Sequence, residues 1–210
     1  TNAQEVIGAL SREFLRELAA KYPGVSIGFG GQRDASRETG GSMGKAFLIG
    51  IFGVFVILSL QFRSWLVPFV VMFAFPLAMI GVVWGHIFAG LSFNMLSLIG
   101  VISLAGIVVN DSILMMEFIR LRESEGISHI EASPKAAADR FRSIMLTSVT
   151  TIAGLLPLLA EKSLQAQMLI PMALSLVCGL ATSTLLVLFV IPALYAIVID
   201  IRGNSQIPGK

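Results

Sequence analysis

The chain has 210 residues, of which 55% are hydrophobic and 13% charged, with a formal net charge of +2. Soluble domains carry about a quarter charged residues, so this composition excludes an ordinary soluble domain and indicates a multi-span membrane protein. The single cysteine, Cys178, excludes an intrachain disulfide framework and a cysteine-based zinc site. It lies in an apolar run, where we expect a small buried hydrophobic residue.

The first 30 residues differ from the rest of the chain. Residues 3–20 predict an amphipathic helix, and residues 25–29 alternate like a strand after the Pro23-Gly24 break. One helix and one strand do not enclose a core, so we expect residues 1–30 to be the end of an α/β domain. A polar connector follows at 31–43. The absence of an initiator Met and of a signal peptide favours a piece of a larger protein.

Five apolar stretches follow the connector. Each is near or above the ~20 residues that cross ~30 Å of hydrocarbon. We therefore predict an all-α polytopic membrane protein with a transmembrane bundle at 44–200, a cytoplasmic loop at 120–143 and a cytoplasmic tail at 201–210. The predicted spans are about 46–62, 66–89, 93–119, 144–160 and 168–198.

Positive residues predict the orientation of the bundle. If the first span runs inward, the two short outer loops hold only Lys162, and most positive residues face the cytoplasm, as the positive-inside rule requires. The N-terminal piece then lies outside the cytoplasm and the C-terminus inside. The inner positive residues are Arg63, Arg120, Arg122, Lys135, Arg140, Arg142, Arg202 and Lys210.

The inner loop has two open interpretations. Ser133 and Pro134 are a plausible cap and first turn for a short surface helix at 135–142, and a solvated charged connector is the alternative. Its acidic and basic residues alternate without aromatic residues, which gives no nucleic-acid patch.

Asp111 is the residue of greatest functional interest. It follows Asn110 inside a long apolar run, and an ionisable residue within a membrane span is a functional-site hypothesis by default. A protonated structural carboxyl group, hydrogen-bonded to a neighbour, is the alternative. Glu117 and His86 lie nearer the span ends, and we expect both at the membrane interface.

A depth argument gives Asp111 candidate neighbours. Asp111 lies nine residues before Arg120, and Thr151 lies nine residues after Arg142, so antiparallel spans bring the two to about the same depth. We expect a polar cluster of Asn110, Asp111, Thr147 and Thr151 inside the bundle. In the alternative, the two threonines bond their own backbone or join helices.

No enzyme constellation is found in the sequence. It lacks GxxxxGK[ST], HExxH and a nucleophile elbow, so we predict no enzyme, no cofactor and no ATP hydrolysis on this chain. If the protein transports, an ion gradient has to drive it.

Four segments carry a family resemblance. They are LQFRSWLVPFVVMFAFPLAMIG (60–81), GIVVNDSILMMEFI (106–119), RFRSIMLTSVTTIAGLLPLL (140–159) and IPALYAIV (191–198). On these segments, the chain resembles the C-terminal half of resistance-nodulation-division (RND) efflux transporters of the AcrB/AcrD/AcrF type.

The resemblance implies a fold and a function. Residues 1–30 would close a periplasmic porter subdomain, and the five spans would be the last of twelve. Such transporters are typically homotrimeric, proton-driven exporters of drugs, detergents or metal ions in the bacterial inner membrane. They work with a periplasmic adaptor and an outer-membrane channel, and lipid surrounds their spans.

The resemblance also names site residues. The family's relay lysine stands in a GLSAKNAIL-like run, and here GIVVNDSIL places Asn110 at the lysine and Asp111 at the asparagine. Arg142 and Thr147 match the RxRPIxMTS pattern. The ion-coupling candidates are therefore Asn110, Asp111, Arg142, Thr147 and Thr151. The missing lysine motivates an alternative function, a transport-inactive structural or regulatory membrane module.

Overall fold

The computed structural model describes residues 32–204, and within this range all regular elements are α-helices. The all-α prediction is therefore confirmed for the described residues, whereas the predicted α/β piece at 1–30 and the end of the tail at 205–210 lie outside them. The helices are α1 (Gln32–Phe62), α2 (Leu66–Met72), α3 (Ala74–Ala89), α4 (Met95–Ser124), α5 (His129–Ala160) and α6 (Leu164–Asn204).

Five helical segments are long and apolar enough to cross a membrane, as a polytopic membrane protein requires. Helices α2 and α3 together make the second of them. The helices extend beyond the apolar stretches of the sequence: α5 begins before Pro134 and α1 begins before Gly40, so polar flanking residues continue the same helices. The segments are Gly40–Phe62, Leu66–Ala89, Met95–Ser124, Ile130–Ala160 and Leu164–Asp200.

The break between α2 and α3 follows from Pro76. A proline has no backbone N–H, so Pro76 cannot donate to the carbonyl of Met72, the last residue of α2. The Phe73 N–H instead closes the last turn of α2 on the Phe69 carbonyl at 3.0 Å. The second span is therefore two helices joined at one residue.

Helix α5 corrects one expectation for the inner loop. A separate short helix at 135–142 is not formed, since the same residues belong to the single helix that begins at His129. Ala132 and Ala136 are fully buried, and Ile144 continues their face two turns later. This apolar stripe packs the first turns of α5 into the bundle and keeps the helix continuous across Pro134.

Helix α6 lies at the centre of the bundle and packs against α2, α3, α4 and α5. Its close approach to α3 depends on two glycines. A Cβ atom at Gly81 would meet the Thr182 side chain and the Cys178 carbonyl, and one at Gly85 would meet the Cys178 side chain. Small residues at a helix crossing allow such contact between backbones in membranes.

Helix α1 lies at the edge of the bundle. In the described part of the chain, its backbone does not closely approach the backbone of another helix. Leu48, Ile49 and Phe52 are more than 60% exposed, whereas Leu58 and Phe62 in the last turns are buried. The last turns of α1 therefore enter the core, while Val54 packs against its edge and the Phe47 ring lies 5.5 Å from that of Phe75 in α3.

Candidate functional site

The candidate site lies on α4. Asn94 caps this helix: its side chain accepts from the Ser97 N–H, while the Ser97 hydroxyl accepts from the Asn94 N–H. Leu104, Val108 and Met115 recur at helical spacing and are buried, which fixes the rotation of α4 against the bundle. The adjoining positions 110 and 111 therefore fall beside the buried face.

The two polar residues of this segment differ in burial. Asp111 is half-buried, and Asn110 is exposed on the surface of the described helices. Within the part of the chain that the structure describes, neither of these side chains forms a hydrogen bond with another side chain. Asp111 nevertheless has a charged neighbour, because the Arg140 guanidinium of α5 lies within electrostatic range of its carboxyl group.

Arg140 is the basic residue that faces α4. Its guanidinium carbon lies 4.8 Å from the centroid of the Phe118 ring. Its Nε atom is buried and has no hydrogen-bond partner within the described residues. Arg142, which the sequence pattern selected, is instead exposed. The structure thus brings Arg140, rather than Arg142, towards Asp111.

The two candidate threonines bond within their own helix. Thr147 donates to the carbonyl of Ile144 at 2.9 Å, and Thr151 donates to the carbonyl of Thr147 at 2.8 Å. Both side chains are exposed. These bonds agree with the alternative given for the threonines. The four-residue polar cluster stays a prediction.

The helix register nevertheless places Thr147 at the level of Asp111. Helices α4 and α5 are antiparallel and touch where Arg140 covers Phe118. Counting seven residues back from Phe118 leads to Asp111, and seven residues forward from Arg140 leads to Thr147. At a common rise of about 1.5 Å per residue, Asp111 and Thr147 lie at one level, with Thr151 about one turn further along.

A buried hydroxyl pair joins α5 to α6 beside this level. The oxygens of Ser148 and Thr184 are 2.6 Å apart. Thr184 donates its one proton to the Leu180 carbonyl at 2.7 Å, so Ser148 is the donor between the two hydroxyls. This pair fixes the rotation of α5 and hence the exposure of Thr147.

Side-chain bonds connect the helices at the end of the bundle formed by the last turns of α1 and α4. Gln61 donates to Glu117 at 2.8 Å, and Arg120 donates to the Phe62 carbonyl at 2.7 Å. Tyr195 of α6 donates to Glu123 at 3.0 Å. Glu117 is exposed and has a partner on α1.

The opposite end of the bundle holds a buried histidine. His86 is only 5% exposed among the described helices, and its expected place at the membrane interface stays a prediction. Its Nδ1 donates to the Val82 carbonyl at 3.0 Å, which leaves Nε2 to accept from the Ser97 hydroxyl at 2.9 Å. Burial is tolerated because both ring nitrogens have partners.

The chemistry available at Asp111 is proton exchange. A carboxyl group can take up and release a proton, and the charge of Arg140 lies within electrostatic range of its ionised form, without an ion pair between the two in the described residues. The described residues contain no group of three or more His, Cys, Asp or Glu side chains that could hold a metal ion.

The sequence analysis did not select Arg140 as a site residue, although the spacing between Arg140 and Thr147 indicates it. Arg140 and Thr147 are seven residues apart and therefore share a helix face, whereas Arg142 is five residues from Thr147 and points elsewhere. Helix α5 therefore carries Arg140 and Thr147 on one side, at the levels of Phe118 and Asp111.

Known proteins match almost the entire chain. The model of the AcrB/AcrD/AcrF family matches residues 4–199. The swarming motility protein SwrC of Bacillus subtilis (strain 168) is 31% identical over 182 residues, which cover 86% of this chain and 17% of that protein. An uncharacterized transporter of Haemophilus influenzae (strain ATCC 51907 / DSM 11121 / KW20 / Rd) is 32% identical over 168 residues, which cover 77% of this chain and 16% of that protein.

A solved structure has the same fold. The crystal structure of a heavy metal efflux pump matches with a TM-score of 0.78 and 25% identity, over 92% of this chain and 20% of the pump chain. The chain thus spans about a sixth of the length of these curated relatives and a fifth of the pump chain. It belongs to the AcrB/AcrD/AcrF family of RND transporters.

Proposed function

We propose that the protein carrying this chain is a proton-driven exporter of small molecules across the bacterial cell envelope, and that Asp111 takes part in the coupling. Membership of a transporter family supports transport. The observation that carries the proposal is the half-buried Asp111 in an apolar span, with the Arg140 guanidinium of the neighbouring helix within electrostatic range.

The proposed cycle uses two protonation states of Asp111. Protonation neutralises the carboxyl group and leaves the Arg140 charge without its counter-charge, so the α4–α5 contact differs between the two states. Release of the proton restores the attraction. A difference in helix contacts between two states is what transport by an ion gradient requires.

Substrate, partners and orientation belong to the same proposal. Drugs, detergents and metal ions are the substrate classes, and the metal ions would be cargo. We further propose a homotrimer in the bacterial inner membrane that works with a periplasmic adaptor and an outer-membrane channel. The asymmetry of positive residues supports a periplasmic N-terminal piece and a cytoplasmic C-terminus.

Efflux from energised cells tests the proposal. Cells that express the complete protein are loaded with a fluorescent dye or a metal ion, and export is followed with and without an uncoupler. We expect uncoupler-sensitive export in the wild type and none in Asp111→Asn, at matched amounts of protein in the membrane.

Two other outcomes would contradict the proposal. Unchanged export by Asp111→Asn would exclude the coupling role of this carboxyl group. No export by the wild type, across drugs, detergents and metal ions, would favour a transport-inactive structural or regulatory module, which the asparagine at position 110 motivates.

A further inference from the structure

The last turns of helix α1 are its most deeply buried part in the bundle. Leu58 and Phe62 are 1% and 4% exposed, while most of α1 before them has apolar side chains on the surface. Arg63 then adopts a φ of 46°, so the chain turns sharply directly after the buried end. The last turns are therefore where α1 enters the core of the bundle.

Two side chains of α4 hold this end. Glu117 accepts from the Gln61 amide at 2.8 Å. Arg120 donates to the Phe62 carbonyl at 2.7 Å, and its guanidinium carbon lies 4.9 Å from the centroid of the Phe62 ring. The carbonyls in the last turn of a helix lack partners within it, so Arg120 satisfies a group that would otherwise have none.

Glu117 and Arg120 lie on α4, the helix that also carries Asp111. Glu117 is six and Arg120 nine residues beyond Asp111, about 9 and 13 Å along one unbroken helix. Such a helix moves as a rigid rod, so a shift of α4 at Asp111 also shifts Glu117 and Arg120. Ring contacts of Phe55 with Trp65 and Phe69, and of Phe47 with Phe75, also hold α1 to the following segment, but none of these residues belongs to α4.

We propose that Glu117 and Arg120 are positioning residues that make the end of α1 follow movements of α4, and so link the ion-coupling segment to α1. The inference rests on the proposed function of Asp111. It adds a defined mechanical connection: one carboxylate–amide bond and one guanidinium–carbonyl bond, both between α4 and the last two residues of α1.

A bond-swap experiment tests the connection in the complete protein. Gln61→Glu places two carboxylates against each other, whereas Gln61→Glu with Glu117→Gln restores an amide–carboxylate bond in the opposite direction. We expect Gln61→Glu to lower the export rate about five-fold and the double variant to restore it. Glu117→Gln alone keeps an acceptor oxygen but loses the charge, and we expect its export rate to lie between that of Gln61→Glu and that of the wild type.

A cross-linking measurement provides a readout that does not depend on transport. In a Cys178→Ser background, the cysteine pair at Gln61 and Glu117 is treated in membranes with a short bis-thiosulfonate reagent and mapped by mass spectrometry. We expect efficient cross-linking. A pair at Leu60 and Glu117 should react poorly, because Leu60 is 74% exposed and lies on another face of α1.

The outcomes separate the two proposals. Export that is unchanged in Gln61→Glu, or that is not restored by the double variant, would overturn the connection while leaving Asp111 untouched. Equal cross-linking of the two cysteine pairs would overturn it as well. Failure of the proposed function appears differently, as wild-type export that does not respond to an uncoupler.

Discussion

The guanidinium of Arg140 covers the ring of Phe118, with 4.8 Å between its central carbon and the ring centroid. This contact sets the register of α4 against α5 and keeps a positive charge within electrostatic range of Asp111. Two roles are thus combined in one side chain. A cation over an aromatic face contributes about 0.5–2 kcal/mol, depending on how far the pair is removed from water.

The variant Arg140→Leu distinguishes the role of Arg140 from that of Arg142. We expect Arg140→Leu to lower proton-driven export at least ten-fold at matched membrane levels, because it removes the counter-charge of Asp111. Arg142→Leu is the matched control, since Arg142 is exposed and no described contact joins it to Asp111. Equal losses of export in the two variants would contradict the assignment of Arg140.

Arg140→Lys adds a finer test of the same residue. Lysine keeps the charge but lacks the planar guanidinium that lies over Phe118. We expect partial export, between that of the wild type and that of Arg140→Leu, measured as initial rates. Export no better than that of Arg140→Leu would show that charge alone does not support the coupling.

The hydroxyl pair between α5 and α6 predicts a stability effect. Thr184→Val removes the acceptor of the buried Ser148 hydroxyl, and we expect it to cost about 1 kcal/mol in the free energy of unfolding. Thermal unfolding in detergent measures it. Thr150→Val is the control, because the Thr150 hydroxyl is exposed and bonded within its own helix. The unfolding midpoint of this variant should stay close to that of the wild type.

The α3–α6 crossing predicts a difference between two glycines. Gly81→Ala would place a methyl group against Thr182 and the Cys178 backbone, and we expect it to cost about 1–3 kcal/mol through overpacking. Gly106→Ala meets no atom within 4 Å in the described structure, so it should be neutral or stabilise α4 by up to about 1 kcal/mol. A lower unfolding midpoint for Gly106→Ala than for Gly81→Ala would contradict this packing.

Hydropathy was sufficient to predict the helical class, but it did not predict where the helices end. Apolar composition marks the part of a helix that suits a membrane, and it carries no information about polar turns that continue the same helix. Helix α4 therefore runs on to Ser124, and α5 begins at His129. The burial of Ala132 and Ala136, which stabilises the start of α5, depends on tertiary contacts.

The candidate site rests on Asp111, which the sequence alone selects, whereas the neighbours of Asp111 depend on how the helices pack. Asp111 stands out because a carboxylate in an apolar run is costly, whatever surrounds it. Arg140 does not stand out among the basic residues of the inner loop until the rotation of α5 places it over Phe118. His86 is similar: its burial depends on Ser97, a partner that becomes recognisable once α3 and α4 are packed together.

Proton movement coupled to substrate tests the central claim most directly. The complete protein is reconstituted in liposomes that contain a pH-sensitive dye, a proton gradient is imposed, and substrate is added. We predict that substrate accelerates proton flux in the wild type and that Asp111→Asn abolishes this acceleration. Substrate-dependent proton flux of wild-type size in Asp111→Asn would contradict the claim that Asp111 couples protons to transport.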